Sequence, residues 1–294
     1  MATYKTYDTI GIREDLQDAI YDISPTTTPF MSTVGRTKAK NTYHEWQTDS
    51  LADVNLANAQ IEGADAVSAT LTPTTRVGNY TQISDKVIQV STTDDVVDKA
   101  GRSTETAYQL SKASAEIKRD MESILLSDQE KNEGGTAAPR KLGGLASWLT
   151  TNTVNTAGGA LTEDMLKEAV LKAYNSGGEP DVLLVSPANK QVVSTFAGIA
   201  EQRYQAPKSS PTTIIGAADV YLSDFGSVSV VPDRFLSDDY SYVLDPSMAS
   251  VAYLRPFKSQ KLAKMGDSEK HLLNVEYTLV VNNEAAHAMM SDET

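Results

Sequence analysis

Hydrophobic positions recur at helical spacing in several stretches of the chain and alternate with polar ones in others. The strongest helical stripe runs over residues 103–127. Ala107, Leu110, Ile117, Met121, Ile124 and Leu125 share one side, and Glu116, Lys118, Arg119, Asp120 and Glu122 supply the charged remainder. At ~1.5 Å per residue this helix is roughly 35–40 Å long. Thr92-Thr93-Asp94-Asp95 reads as a helix start just ahead of it, with acid in the first turn, and Gly101 interrupts the two. A second amphipathic helix spans 162–174, with Met165, Leu166, Ala169, Val170 and Ala173 inside. Ser186-Pro187 opens a third, running to about Phe196 and ended by Gly198. Near the start, Ile10, Ile12, Leu16, Ile20 and Ile23 predict one short amphipathic helix, and Ser24-Pro25-Thr26-Thr27-Thr28-Pro29 cannot continue it. Residues 1–40 therefore read as an arm with little core of its own, in need of a neighbour to pack on.

Two long strands are expected at 40–50, with Tyr43 and Trp46, and at 80–91, with Ile83, Val87, Ile88 and Val90. The segment between them, 51–79, is rich in Ala, Asn, Thr and Gly and too weakly apolar to fold alone. A structureless stretch of that length is unusual inside a compact domain, so it reads as a hairpin projecting from the body and covered by another chain. Further strands are expected at 182–185, 213–222, 228–231, 240–244, 251–255 and 272–282. Strands and helices mix without a regular βαβ repeat, so the fold class is α+β.

Composition narrows the role. The chain has 294 residues and no cysteine, so disulfides and thiolate metal sites are excluded. Residues 1–20 carry no apolar signal segment and no run of ~18 apolar residues occurs, so the expected site of folding is the cytoplasm and no membrane contact is expected. The net charge is −13, which repels nucleic acid unless a basic patch is present. The candidates, Arg36, Lys38 and Lys40, and then Lys258, Lys261 and Lys264, read as solvated faces or partner contacts.

Chemistry has no visible anchor. His44-Glu45 begins like a zinc-protease helix, but the second histidine position is Thr48 and the segment is strand-like. His44, His271 and His287 are scattered, with no spacing that demands convergence on a metal. Ser186 follows a strand and precedes a helix, as a hydrolase nucleophile does, yet Leu184-Val185-Ser186-Pro187-Ala188 lacks the G-x-S-x-G turn, so it reads as a helix cap. The pairs Gly134-Gly135, Gly143-Gly144, Gly158-Gly159 and Gly177-Gly178 match no nucleotide fingerprint, and Asp233, Asp238 and Asp239 lack calcium-loop spacing. No catalytic, cofactor-binding or metal residue is assigned. A dispersed carboxylate pair would leave no trace in sequence.

Specific residues carry a resemblance. Ser24-Pro25-Thr26-Thr27-Thr28-Pro29-Phe30-Met31-Ser32 resembles the arm of a family of tailed-bacteriophage major capsid proteins. His44-Glu45-Trp46-Gln47-Thr48-Asp49 is similar to the start of their extended loop. Ala100-Gly101-Arg102, Glu105, Tyr108-Gln109-Leu110 and the run from Glu116 to Glu122 match their spine-helix signature. Gly144 to Leu149, Asp245-Pro246, Tyr253 to Phe257, Ala263-Lys264, Gly266 to Lys270 and Glu276 to Leu279 follow in the family's order.

The resemblance implies the Hong Kong 97-type capsid fold. Residues 1–36 would be the N-terminal arm and 37–91 the extended loop with its flanking strands. Residues 92–140 would hold the spine helix of the peripheral domain, 141–244 the axial domain, and 245–294 the remaining peripheral strands and the C-terminus. It implies a non-enzymatic subunit that self-assembles into hexamers and pentamers of an icosahedral shell around double-stranded DNA. The partners implied are neighbouring capsomers, a scaffolding protein, a portal and a decoration protein. The location implied is the virion, with assembly in the host cytoplasm. No charged helical segment precedes the arm, so scaffolding is expected as a separate chain. An encapsulin-like compartment shell and a soluble hydrolase are the alternative readings. Ile10, Ile12, Leu16, Tyr43 and Trp46 are the expected assembly contacts or supports, with Trp46 open between core and interface. Some members of the wider fold cross-link through a loop lysine, but residues 51–77 contain none. Assembled particles boiled in denaturant are therefore expected to run as a single-chain band on a gel, and a ladder of covalent multimers would contradict this.

Overall fold

A computed structural model describes residues 24–63, 65, 68, 71–101, 103–156, 158–196, 220–264 and 266–292. The expected helix around Ile10–Ile23 and the first part of the strand at 213–222 lie outside them, whereas the helix expected to run to about Phe196 ends at Val193, short of Gly198.

The arm's end is folded against the body. A short helix α1, Pro29–Thr33, buries Phe30 and Met31, and strand β1, Gly35–Lys38, follows. This part of the arm thus finds its core in its own chain, contrary to the expectation for 1–40 as a whole. A hairpin comes next, β2 Tyr43–Thr48 and β3 Thr75–Tyr80, and then the long strand β4, Gln82–Ser91. The strand expected at 80–91 is therefore two elements split at Thr81, and the return strand of the hairpin is β3. Gly78 and Asn79 broke its alternation in sequence.

Helix α2, Thr92–Val96, is capped by Ser91, whose side chain accepts from the Asp94 amide, so the start lies one residue before Thr92. Gly101 takes a positive φ of 76°, open to glycine at little cost, and separates α2 from α3, Glu105–Leu126. Over its 22 residues α3 buries Ala113, Ile117, Met121, Leu125 and Leu126. Ala107, expected inside, is exposed, and Glu122, expected outside, is fully buried.

Then come α4 Leu145–Trp148, β5 Thr153–Asn155, α5 Glu163–Asn175, β6 Val182–Val185 and α6 Pro187–Val193. Strands β7 Val220–Ser223, β8 Gly226–Pro232 and β9 Tyr240–Leu244 follow. Two long strands, β10 Ala249–Lys261 and β11 Ser268–Val281, precede the short β12, Ala288–Ser291. Strand β10 runs past Pro256 because the register with β11 shifts there, and a bulge spares the ladder the amide that proline lacks.

The described strands form three sheets. One has the order β1-β10-β11-β4, with β1 parallel to β10 and the other neighbours antiparallel. A six-stranded mixed sheet has the order β5-β12-β9-β6-β8-β7. The hairpin β2-β3 stands by itself. The last strand thus joins the six-stranded sheet and leaves the long strands that precede it. The largest core cluster contains Phe30 and Met31 of α1, the buried face of α3, Val275, Tyr277 and Leu279 of β11, and Leu184, Tyr242 and Leu244 of the six-stranded sheet. The Tyr242 hydroxyl donates to the Leu126 carbonyl at 2.7 Å, tying that sheet to the end of α3. A second cluster packs α5 and α6 on the same sheet through Leu166, Val170, Val193 and Leu183.

Candidate assembly surfaces

A lone two-stranded ribbon is marginal in water, so the hairpin must be held at its root. Its register pairs Tyr43 with Tyr80, His44 with Asn79 and Trp46 with Val77. The Tyr43 and Tyr80 rings lie 4.5 Å apart, and Trp46 packs on Trp148 at 5.4 Å. Trp46 also joins a small cluster with Ala39, Ala252 and Val280, which places it half-buried in its own chain. Lys131 sits 5.0 Å from the centre of the Trp148 ring and donates to the Gly78 carbonyl at 3.1 Å. Gly78 has no room for more: a Cβ there would come 2.8 Å from the His44 carbonyl oxygen.

Asn79 is the central peg. It is fully buried and accepts from the Gly143 amide at 2.8 Å. Its own amide group donates to the Gly143 carbonyl at 3.0 Å and the Leu279 carbonyl at 2.9 Å. Beside it Glu276 binds three groups. Thr81 donates at 2.8 Å, Arg255 donates through Nε at 2.7 Å, and Arg140 pairs with the same oxygen as Thr81. Arg140 Nε also donates to the Thr81 carbonyl at 2.6 Å. Burial raises the Glu276 pKa, but the Arg255 and Thr81 hydrogen bonds and the two guanidinium charges outweigh it and hold the carboxyl below its usual range.

Beyond this root the described residues of the loop are exposed. Leu51, Val54, Leu56, Ile61 and Leu71 are 83–98% exposed. Single exposed leucines are ordinary, but five apolar side chains on one projecting segment mark a contact surface. Residues 41–75 include Glu45, Asp49, Asp53, Glu62 and Asp65 and no lysine or arginine, so the surface is apolar and acidic. An open cleft of about 730 Å³ lies at the hairpin base, lined by Tyr43, Tyr80, Ile83, Pro139 and Arg140. Its cation is already engaged by Glu276.

The residues weighed for chemistry stay apart. His44 lies on β2 and His287 is buried with its Nδ1 accepting from the Asp245 amide at 3.1 Å; burial lowers the pKa of both. His271 lies on β11, 4.0 Å from Glu269. Among the described residues no three His, Asp or Glu side chains gather as a metal site would require. Ser186 caps α6, accepting from the Asn189 amide at 3.2 Å with Pro187 in the first turn. Lys261 and Lys264 pair with Glu269 and Asp267, which removes most of the basic character of that set. Asp233 is fully buried against Glu122, a meeting across 111 residues that no spacing announces. Ile10, Ile12 and Leu16 lie outside the described residues.

A long helix packed under a four-stranded sheet, a separate six-stranded sheet and a rooted hairpin with an uncovered loop make up the Hong Kong 97-type capsid fold. A chain from Mycobacterium phage Adephagia superposes with a TM-score of 0.66 at 12% identity, covering 100% of this chain and 99% of that one. An encapsulin complex from Synechococcus elongatus gives 0.61 at 14% identity, covering 99% and 96%. The sequence itself goes further: residues 2–294 match the model of the SU10 major capsid protein family, and the chain belongs to that family. The major capsid protein of Escherichia phage Phieco32 is 29% identical, covering 98% of this chain and 96% of that protein. The protein is a phage major capsid protein, a structural subunit of the virion that assembles with copies of itself.

Asn79→Ala removes the peg and leaves Gly143 and Leu279 with unpaired polar groups. The expected cost is about 3 kcal/mol, from buried groups each worth ~1–3 kcal/mol. Urea unfolding of free subunits measures it, and a loss below ~1 kcal/mol would contradict the role given to Asn79.

Proposed function

We propose that this subunit closes, with many copies, into an icosahedral shell of hexamers and pentamers around double-stranded DNA, and that it has no catalytic role. The observation that carries this reading is the rooted hairpin with its five bare apolar side chains. Among the described residues nothing covers these side chains, so a neighbouring copy is the natural partner. Binding of that kind stabilises the folded subunit by mass action. A ring of identical chains uses contacts between unlike surfaces that close by rotation, so loop and receiving face belong to different patches.

The division of labour follows the sheets. We assign residues 1–36 to the arm, 37–91 to the extended loop and its flanking strands, and 92–140 to the peripheral domain built on α3. Residues 141–244 form the axial domain around the six-stranded sheet, and 245–294 return to the peripheral domain, apart from β12, which goes with the axial sheet. A net charge of −13 suits a wall that does not grip packaged DNA. A separate scaffolding chain, a portal and a decoration protein are the further partners, and assembly takes place in the host cytoplasm.

The likeness to an encapsulin complex supports one other reading, a protein-filled compartment. Nuclease-protected DNA inside purified particles separates the two.

Changing Leu51, Leu56 and Leu71 together to Ser tests the loop. The triple variant is expected to give folded, soluble subunits, by circular dichroism and gel filtration, and at least tenfold fewer closed particles by negative-stain imaging. Particles in wild-type yield would contradict the assignment.

A further inference from the structure

The end of the arm is tied to the body at one buried point. The first amides of a helix lack partners within it. In α1 the Phe30 amide donates to Glu122 Oε1 at 2.6 Å and the Met31 amide to Glu122 Oε2 at 3.0 Å. Glu122, on α3, has no solvent exposure. Asp233, just past the end of β8, has none either, and its carboxyl lies against that of Glu122. Asp233 is itself fixed: its amide donates to the Val185 carbonyl at 2.8 Å, and its Oδ1 accepts from the Phe235 amide at 2.9 Å. Its other oxygen, Oδ2, meets no donor among the described residues.

Among the described residues no cation pairs with either carboxyl. Tyr253 of β10 lies near the pair, and burial raises its phenol, with the Arg36 charge lowering it and the Glu122 charge raising it. Arg36 of β1 is exposed, and so is Arg234, which lines an open cleft with Ser123 and Asp128. Neither carboxyl has an ion-pair partner among the described residues. Two buried carboxylates in contact cannot both stay charged, and an orphaned oxygen calls for an O–H.

We propose that Glu122 and Asp233 share one proton, and that this hydrogen bond is a pH-sensitive latch joining the arm, the long helix and the six-stranded sheet. The proton belongs to the pair as a unit. Burial, then the charge of Asp233, pushes Glu122 up to about 8. The latch is therefore closed at neutral pH and opens as pH rises through about 8, when a second buried negative charge drives the carboxyls apart. The sign for stability follows. Between the ordinary value of 4.5 and about 8 the folded chain holds a proton that the unfolded chain does not. Stability contributed by the pair thus falls as pH rises through that window and levels off above it. The inference concerns one subunit and stands whether or not the shell reading does.

Asp233→Asn tests it. The amide keeps an oxygen for the Phe235 amide and donates to Glu122 without needing a proton. Wild-type protein is expected to show the infrared carbonyl band of a protonated carboxyl near neutral pH, lost on titration past about pH 9, and Asp233→Asn should lack that band. The wild-type melting temperature should fall by ~5 °C or more between about pH 5.5 and 8.5, and that of the variant by less than half as much. Glu122→Gln is the second variant: it too should lack the band and show the flatter pH dependence, from a lower melting temperature, because its amide group keeps an acceptor for only one of the Phe30 and Met31 amides. A wild type without the band near neutral pH overturns the proposal even if neither variant folds, and so does a variant whose melting temperature tracks the wild type across pH.

Discussion

Burial of one face of α3 holds this molecule together. Ile117, Met121, Leu125 and Leu126 are at most 1% exposed. Side chains of this size contribute roughly 1.5–3 kcal/mol each on leaving water. They do so against three partners at once: α1 at the end of the arm, the long strand β11, and the six-stranded sheet through Tyr242. Without that face the two sheets would have no common core. Glu122 lies on the same helix, so the polar tie to α1 and Asp233 is made from inside the apolar contact.

What the sequence made legible was local. Helix α5, the buried strand β6 and the Ser186 cap depend on spacing and on chemistry within a few residues, and each is where the pattern put it. Elements whose existence depends on distant partners were not legible. Strand β1 reads as a polar tetrapeptide and forms only because β10 pairs with it in parallel. Strand β12 owes its place to β9 and β5. The return strand of the hairpin carries Gly78 and Asn79, whose value lies in a close approach to His44 and in hydrogen bonds to Gly143 and Leu279. Glu122 looks like any charged residue on a solvated helix face until Phe30, Met31 and Asp233 are brought to it.

The hairpin shows the division between what the chain completes and what it leaves open. Its root is over-determined by Asn79, Glu276, Gly78 and the paired indoles of Trp46 and Trp148. Its tip is bare. A rigid base with an exposed apolar and acidic loop suits delivery to a neighbour, proposed above to be another copy of the same chain.

Hydrogen exchange over residues 49–74, compared between free subunits and assembled particles, tests this most directly. The loop is expected to exchange freely in the subunit and become at least tenfold slower in the particle, with the middle of α3 slow in both. A loop that exchanges equally fast in the two states would contradict the claim that neighbouring copies cover it.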